Sequence, residues 1–319
     1  MPSIAIARFV ENVVEVYSGR SSAPSTLRQV RQVLRELTEV GVKKSGDIGP
    51  ESIARWLNKW PLRSPETAQS HLRCLSGICT YGVFKGFIRK DPFDLYSVKE
   101  YVRADSRPPS VKRQFSRPGA DIRRLLEQAN EEAGGGSWEA GRLQAYCFNL
   151  FLTGMRPGEV QRLEVADVDL RRLIIDIHPK LVPGRNGPIW WRPKTVGSSA
   201  AIPIGDRLAE VLGLWVPRTG CQWLYPGKRL RGPWVTGGPG VRPLDQIKAL
   251  GGRAGVGDVW QKSARKGIGT HAKLMGLTTF ERRELFRHED DSTGDFYDDE
   301  RVDSMRPAAA KIEQFYLYG

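Results

Sequence analysis

The chain has 319 residues, enough for about two domains with a core each, and its 40% hydrophobic content with nine tryptophans excludes a disordered polymer. Its 49 Lys and Arg against 36 Asp and Glu leave a formal charge of +13, which excludes an acidic molecule and points to a polyanionic partner, most simply nucleic acid. No apolar run is long enough to span a bilayer, and the stretch from Met1 to Arg8 lacks the basic start and long apolar core of a signal peptide; a cytoplasmic protein with no membrane partner is expected.

Residues 3 to about 18 read as a helix with Ile6, Phe9, Val10, Val13 and Val14 on one face. After Ser21-Ser22-Ala23-Pro24-Ser25 a second helix places Leu27, Val30, Val33, Leu34 and Leu37 at helical spacing, with Arg28, Arg31 and Arg35 on its other face. The turn Gly46-Asp47-Ile48-Gly49-Pro50 opens a third through Ile53, Trp56 and Leu57. Ser64-Pro65-Glu66-Thr67 starts a longer one carrying His71, Leu72, Leu75, Ile78, Tyr81 and Phe84, which the stretch from Gly86 to Asp91-Pro92 ends. These helices predict an all-α domain over 1–101. The cysteines, Cys74, Cys79, Cys147 and Cys221, show no CxxC pairing, so reduced thiols are expected and no metal site.

From Tyr101 the composition changes: Arg103, Arg107, Pro108, Pro109, Lys112, Arg113, Arg117 and Pro118 accompany a single acid, Asp105. Residues 102–118 read as an extended basic linker, either simply solvated or lying as a strap along phosphates, and the charge favours the strap. Arg28, Arg31, Arg35, Arg103, Arg107, Lys112, Arg113 and Arg117 are the candidate DNA-binding residues.

The second domain, 119–319, opens with helices near 120–133 and 138–152, separated by Gly134-Gly135-Gly136-Ser137. Thr153-Gly154-Met155-Arg156-Pro157-Gly158-Glu159 follows the second. The Gly break and the fixed φ of Pro157 predict a helix-helix corner, with Arg156 and Glu159 one turn apart. By itself this is a hairpin with one Arg–Glu pair, a feature of little weight. Strands are expected at 173–178, 189–192 and 200–204, with Lys194 near a hairpin turn at 193–199. Helices follow at 205–214, 243–254, 261–275, 279–287 and 302–317; residues 217–240 fit no pattern. Gly237-Gly238-Pro239-Gly240 lacks the Lys-Ser/Thr of a phosphate loop, so nucleotide hydrolysis finds no support. The fold class is mostly α with a small β-sheet.

Two further stretches complete a pattern: Ala264-Arg265-Lys266-Gly267-Ile268-Gly269-Thr270-His271, and the run from Leu285-Phe286-Arg287-His288 to Gly294-Asp295-Phe296-Tyr297. With these the chain resembles the tyrosine recombinases, or phage integrases. That family has an Arg in a TGxRxxE context, a hairpin Lys in KTxxS…IP, a second Arg in HxxR before Thr-His, and a late His nine residues ahead of a nucleophilic Tyr. Arg156, Lys194, Arg265, His288 and Tyr297 occupy those places in order, and the N-terminal helices ending in Gly-x-Ile-x-x-Asp-Pro resemble the family's core-binding domain. The resemblance implies an α+β catalytic domain that cuts and rejoins DNA through a 3′-phosphotyrosine without a cofactor. It implies paired recombination sites in duplex DNA, a tetramer on DNA that is a monomer off it, accessory DNA-bending proteins and a place near the nucleoid. It also implies that the 302–319 tail, with Val302, Met305, Ile312, Phe315 and Tyr316, docks on the next protomer; packing within its own chain is the plainer alternative.

The chemistry suits these residue types. Metal-free cleavage of a phosphodiester needs a nucleophile, a charge clamp and a proton donor for the leaving oxygen. Tyr297 supplies the first; Arg156 and Arg265 the second, because guanidinium is planar, bidentate and always charged. Lys194 supplies the third, His288 bonds the phosphate, and Glu159 orients them from behind. Three departures stand out. Lys262 sits where the family has His, and lysine is no neutral base near pH 7 unless its pKa falls. Arg287 replaces the usual Gly, adding a phosphate contact or standing exposed. Glu289, Asp290, Asp291, Asp295, Asp298, Asp299 and Glu300 crowd Tyr297 and are expected to face solvent or to pair with Arg282, Arg283 or a neighbouring protomer. Lys262 leaves open a catalytically silent DNA-binding protein of the same fold; a type IB topoisomerase-like relaxing enzyme would share the chemistry.

Overall fold

The computed structural model describes residues 3–19, 24–60, 64–103, 116–184, 187–193, 199–228, 230, 232–234, 241–287 and 298–319. The chain forms two compact units, Met1–Lys112 and Arg113–Gly319.

In the first unit, α1 (Ile6–Gly19), α2 (Pro24–Glu39), α3 (Pro50–Lys59) and α4 (Pro65–Phe84) follow the apolar spacing. Phe9, Val13, Val30, Leu34, Leu37, Ile53, Trp56, Leu72 and Leu75 meet in one core. The helix starts obey local chemistry: Ser64 Oγ accepts the Thr67 N–H at 3.2 Å, and Pro50 and Pro65 occupy first turns where no amide partner is needed. Glu36 is buried, yet it is satisfied by Trp56 Nε1 at 3.0 Å and Gln32 Nε2 at 2.9 Å. A further helix, α5 (Val98–Arg103), is not visible in the periodicity. Aromatic contacts hold it instead: Tyr101 packs edge-on against Phe93 and Tyr96 at 5.5 and 5.8 Å, so the chain leaves the core later than its basic composition suggests.

The second unit is built around α7 (Trp138–Thr153), buried along most of its length and touching α6 (Gly119–Gly134), α8 (Pro157–Val160), α9 (Asp206–Trp215), α10 (Pro243–Arg253), α11 (Gln261–His271) and α13 (Asp298–Glu313). α12 (Thr279–Phe286) packs on α13. Strands β1 (Val168–Asp169), β2 (Ile174–Ile177) and β5 (Ala200–Pro203) form one antiparallel sheet, whereas β3 (Lys180–Gly184) and β4 (Gly187–Trp191) pair separately, Leu181 opposite Trp190. This corrects the expected hairpin: the strands on either side of Lys194, β4 and β5, are in different sheets. Trp223, Tyr225 and Trp234, outside the named helices and strands, are buried and contribute to the core.

The tail packs on its own chain. Val302, Met305, Ile312 and Tyr316 are buried, α13 lies against β5 and α7, and the closing π-turn Gln314–Tyr318 touches α6. Glu313 accepts the Arg207 and Leu208 amides at 3.2 and 2.9 Å, capping the exposed start of α9. No described helix is long and apolar enough to cross a membrane.

Candidate active site

The corner after α7 is rigid for reasons legible atom by atom. Gly154 has φ +63°, in the left-handed region, and a Cβ there would stand 2.9 Å from Ile268 Cδ1. Thr153 Oγ1 donates to the Asn149 carbonyl at 2.6 Å and accepts the Met155 N–H at 3.2 Å. Arg156 then stands at the N-cap of α8 with Pro157 behind it. Glu159 grips it twice: Oε2 accepts the Arg156 backbone N–H and Oε1 accepts Nη1, both at 2.9 Å.

Arg265 comes to the same place from α11. Its Nη1 donates to the Gly154 carbonyl at 3.1 Å, its Nη2 to the Phe286 carbonyl, and its guanidinium stacks 4.6 Å over the Phe286 ring. Burial first, then the positive charges of Arg156 and Arg287, pushes the Arg265 pKa down to about 10. It stays a cation at neutral pH, in a place where an anion would be welcome.

Lys262, one turn earlier, is exposed and shares a cavity of about 850 Å³ with Arg156 and Arg265. Lys266, Arg282 and Arg283 add to its rim, and Phe286 and Pro157 supply the apolar wall. Among the described residues, the six charged side chains lining it, Arg156, Lys262, Arg265, Lys266, Arg282 and Arg283, are cationic.

Arg287 departs from both expectations. It is neither exposed nor on the cavity wall: its side chain is 0% accessible, and Nη2 donates to Glu159 Oε2 at 2.7 Å. Glu159, 2% accessible, thus lies between two guanidiniums.

The structure therefore brings Arg156, Glu159, Lys262 and Arg265 together. Lys194, His288 and Tyr297 fall outside the described residues, as do Arg107, Lys112, Arg113 and the acids from Glu289 to Asp295. Arg28, Arg31 and Arg35 are exposed on α2, and Arg103 lies in the last turn of α5. Arg117 donates to the Asp258 carbonyl, so it clasps the second unit. His71 stacks on Trp56, and His271 is buried, as packing residues. Sequence reasoning missed Lys266, Arg282 and Arg283 as cavity residues. Their signal is helical phase: Arg282 and Arg283 precede Phe286 by four and three residues, Lys266 follows Lys262 by four.

No protein-family model matches the sequence, and no curated protein matches it. Solved structures do. The Tn1549 transposon integrase in complex with a circular intermediate DNA superposes with a TM-score of 0.68, at 14% identity, over 99% of this chain and 96% of that one. A lambda integrase dimer bound to a COC′ core site gives 0.58 at 16% identity, over 92% of this chain and 98% of that one. This is the tyrosine-recombinase fold. Within the tyrosine-recombinase fold the corner bearing Arg156 and the helix bearing Arg265 form the floor of a cationic cleft, with Glu159 beneath it.

Proposed function

We propose that the chain is a site-specific DNA recombinase that cuts and rejoins DNA through a 3′-phosphotyrosine, with Tyr297 as nucleophile. The observation that carries this reading is the convergence of Arg156, Arg265 and Lys262 on one cavity whose charged lining among the described residues is cationic. Such a site suits a phosphodiester entering with its charge concentrated on two non-bridging oxygens, which gains more negative charge as the transition state forms. The Tyr297 oxygen bonds to phosphorus as its proton passes to solvent. The bond from phosphorus to the 5′-oxygen breaks, and Lys194 supplies the proton that oxygen takes. Attack by a 5′-hydroxyl of another strand reverses both changes and rejoins DNA without an external energy source. Arg156 and Arg265 hold the phosphate, His288 bonds it, and Lys262 adds a cationic donor.

On this reading residues 1–101 are the core-binding domain, 102–118 the linker along the backbone and 119–319 the catalytic domain. Both domains bind duplex DNA, four protomers join paired sites, accessory proteins bend the DNA, and the protein works at the nucleoid. The transposon and lambda integrases, solved in complex with DNA, support the DNA partner. The test uses a nicked duplex carrying a site selected from a randomised pool by binding. Wild type should give a covalent protein–DNA band that Tyr297→Phe lacks. Tight, salt-sensitive binding with no band from wild type would make the chain a catalytically silent DNA-binding protein instead.

A further inference from the structure

Arg287 is an awkward residue to bury. Its φ of +48° lies in the left-handed region, where a side chain is strained, and it ends α12 there. Its guanidinium is wholly inaccessible, and Nε and Nη1 have no hydrogen-bond partner among the described residues. One carboxylate oxygen of Glu159 holds the whole group. Burial lowers its pKa, and Arg156 lowers it further against the pull of Glu159. A buried ion pair seldom stabilises a fold better than apolar packing would, and this one is incompletely bonded. Stability therefore gives little reason for an Arg here.

The site gives a better one. Glu159 fixes Arg156 through two hydrogen bonds, but its negative charge also lies directly behind the guanidinium that faces the cavity. Alone with Arg156 it would cancel the charge offered to a phosphate. With Arg287 on its other side the three groups net one positive charge, and the carboxylate is held from both flanks.

We propose that Arg287 is a positioning residue for phosphodiester cleavage: it locks the Glu159 carboxylate that aligns Arg156 and offsets that carboxylate's charge beneath the scissile phosphate. The inference rests on the recombinase reading above. Both are tested by single-turnover formation of the covalent adduct on the selected nicked duplex, with wild type, Arg287→Gly, Glu159→Gln and the double variant. Glycine relieves the backbone strain but removes one partner of a buried ion pair, so the Arg287→Gly protein should have a lower Tm yet, once folded, half-saturate with DNA within about twofold. Its cleavage should be slower by about a hundredfold, the scale of a misplaced catalytic group. In the double variant the amide that replaces the Glu159 carboxylate still offers Arg156 an acceptor oxygen but carries no charge, so cleavage should recover at least about tenfold over Arg287→Gly alone. A purely structural Arg287 predicts weaker DNA binding by the folded variant and no recovery of cleavage in the double variant, which would overturn the proposal. Adduct formation by Arg287→Gly at the wild-type rate would overturn it while leaving the recombinase reading intact. No adduct from wild type would overturn both.

Discussion

The Tyr316 hydroxyl lies 3.2 Å from Nδ1 of His271, joining the last turn of the chain to the helix that carries Arg265. Both residues are buried, and the His271 ring also faces Phe315, its centroid 5.4 Å away. Tyr316→Phe removes one buried hydrogen bond and should lower stability by about 1 kcal/mol, whereas Tyr316→Ala should cost about 3–5 kcal/mol through the cavity it opens. Chemical denaturation of the two variants checks the pair; equal losses would mean that the hydroxyl, not the ring, matters.

The same His makes stability depend on pH. Burial lowers the His271 pKa below its ordinary 6.5, so the folded chain resists a proton that the unfolded chain accepts. The sign follows: above about pH 6.5 both states are neutral and nothing is lost, and as pH falls below it the unfolded state gains. Tm should fall between pH 7 and pH 5, and His271→Gln should flatten that part of the profile. A slope unchanged by the substitution would assign it to other groups.

Gly154→Ala tests the corner. The left-handed φ costs an L-residue about 1–2 kcal/mol, and the new methyl would press on Ile268, one turn of α11 from Arg265. Urea unfolding should show a loss of at least that size, and the covalent adduct should form more slowly than the stability loss explains. Cleavage at the wild-type rate would show that the corner tolerates movement at Arg156.

Arg282 and Arg283 line the cavity without belonging to the proposed catalytic set. If each meets a phosphate, the double change to Ala should reduce the slope of log K against log salt by about 2, near 0.9 per contact removed. Anisotropy titrations at several salt concentrations measure it. An unchanged slope would leave these arginines outside the DNA interface.

What the chain declares in advance is what local chemistry decides. Pro50, Ser64 and Pro157 mark helix starts because the determinants lie within one turn, and the Gly154 break and Pro157 announce the corner at Arg156 before any tertiary contact is known. Pairing between distant segments was not legible. β4 is expected at 189–192, but β3 contains Pro183 and Gly184, which hide a strand, so the pairing of the two is not. The segment holding Trp223, Tyr225 and Trp234 is core without a period to follow. Arg287 escaped for another reason: arginine is exposed by default, and only the position of Glu159 across the fold makes its burial possible.

Glu313 gives the cis packing of the tail a further meaning. Its carboxylate carbon would sit 2.2 Å from any Cβ at Gly205, so the start of α9 is a socket that admits this carboxylate because residue 205 has no side chain. A socket of that kind does not distinguish its own chain's plug from an identical one. In an assembly of identical copies, handing α13 to a neighbour would break and remake the same bonds and leave the enthalpy nearly level. The choice between keeping and trading the tail would then fall to the length of the connection ahead of Asp298, the stretch in which Tyr297 stands, so the geometry of assembly and the reach of the nucleophile would be set by one segment.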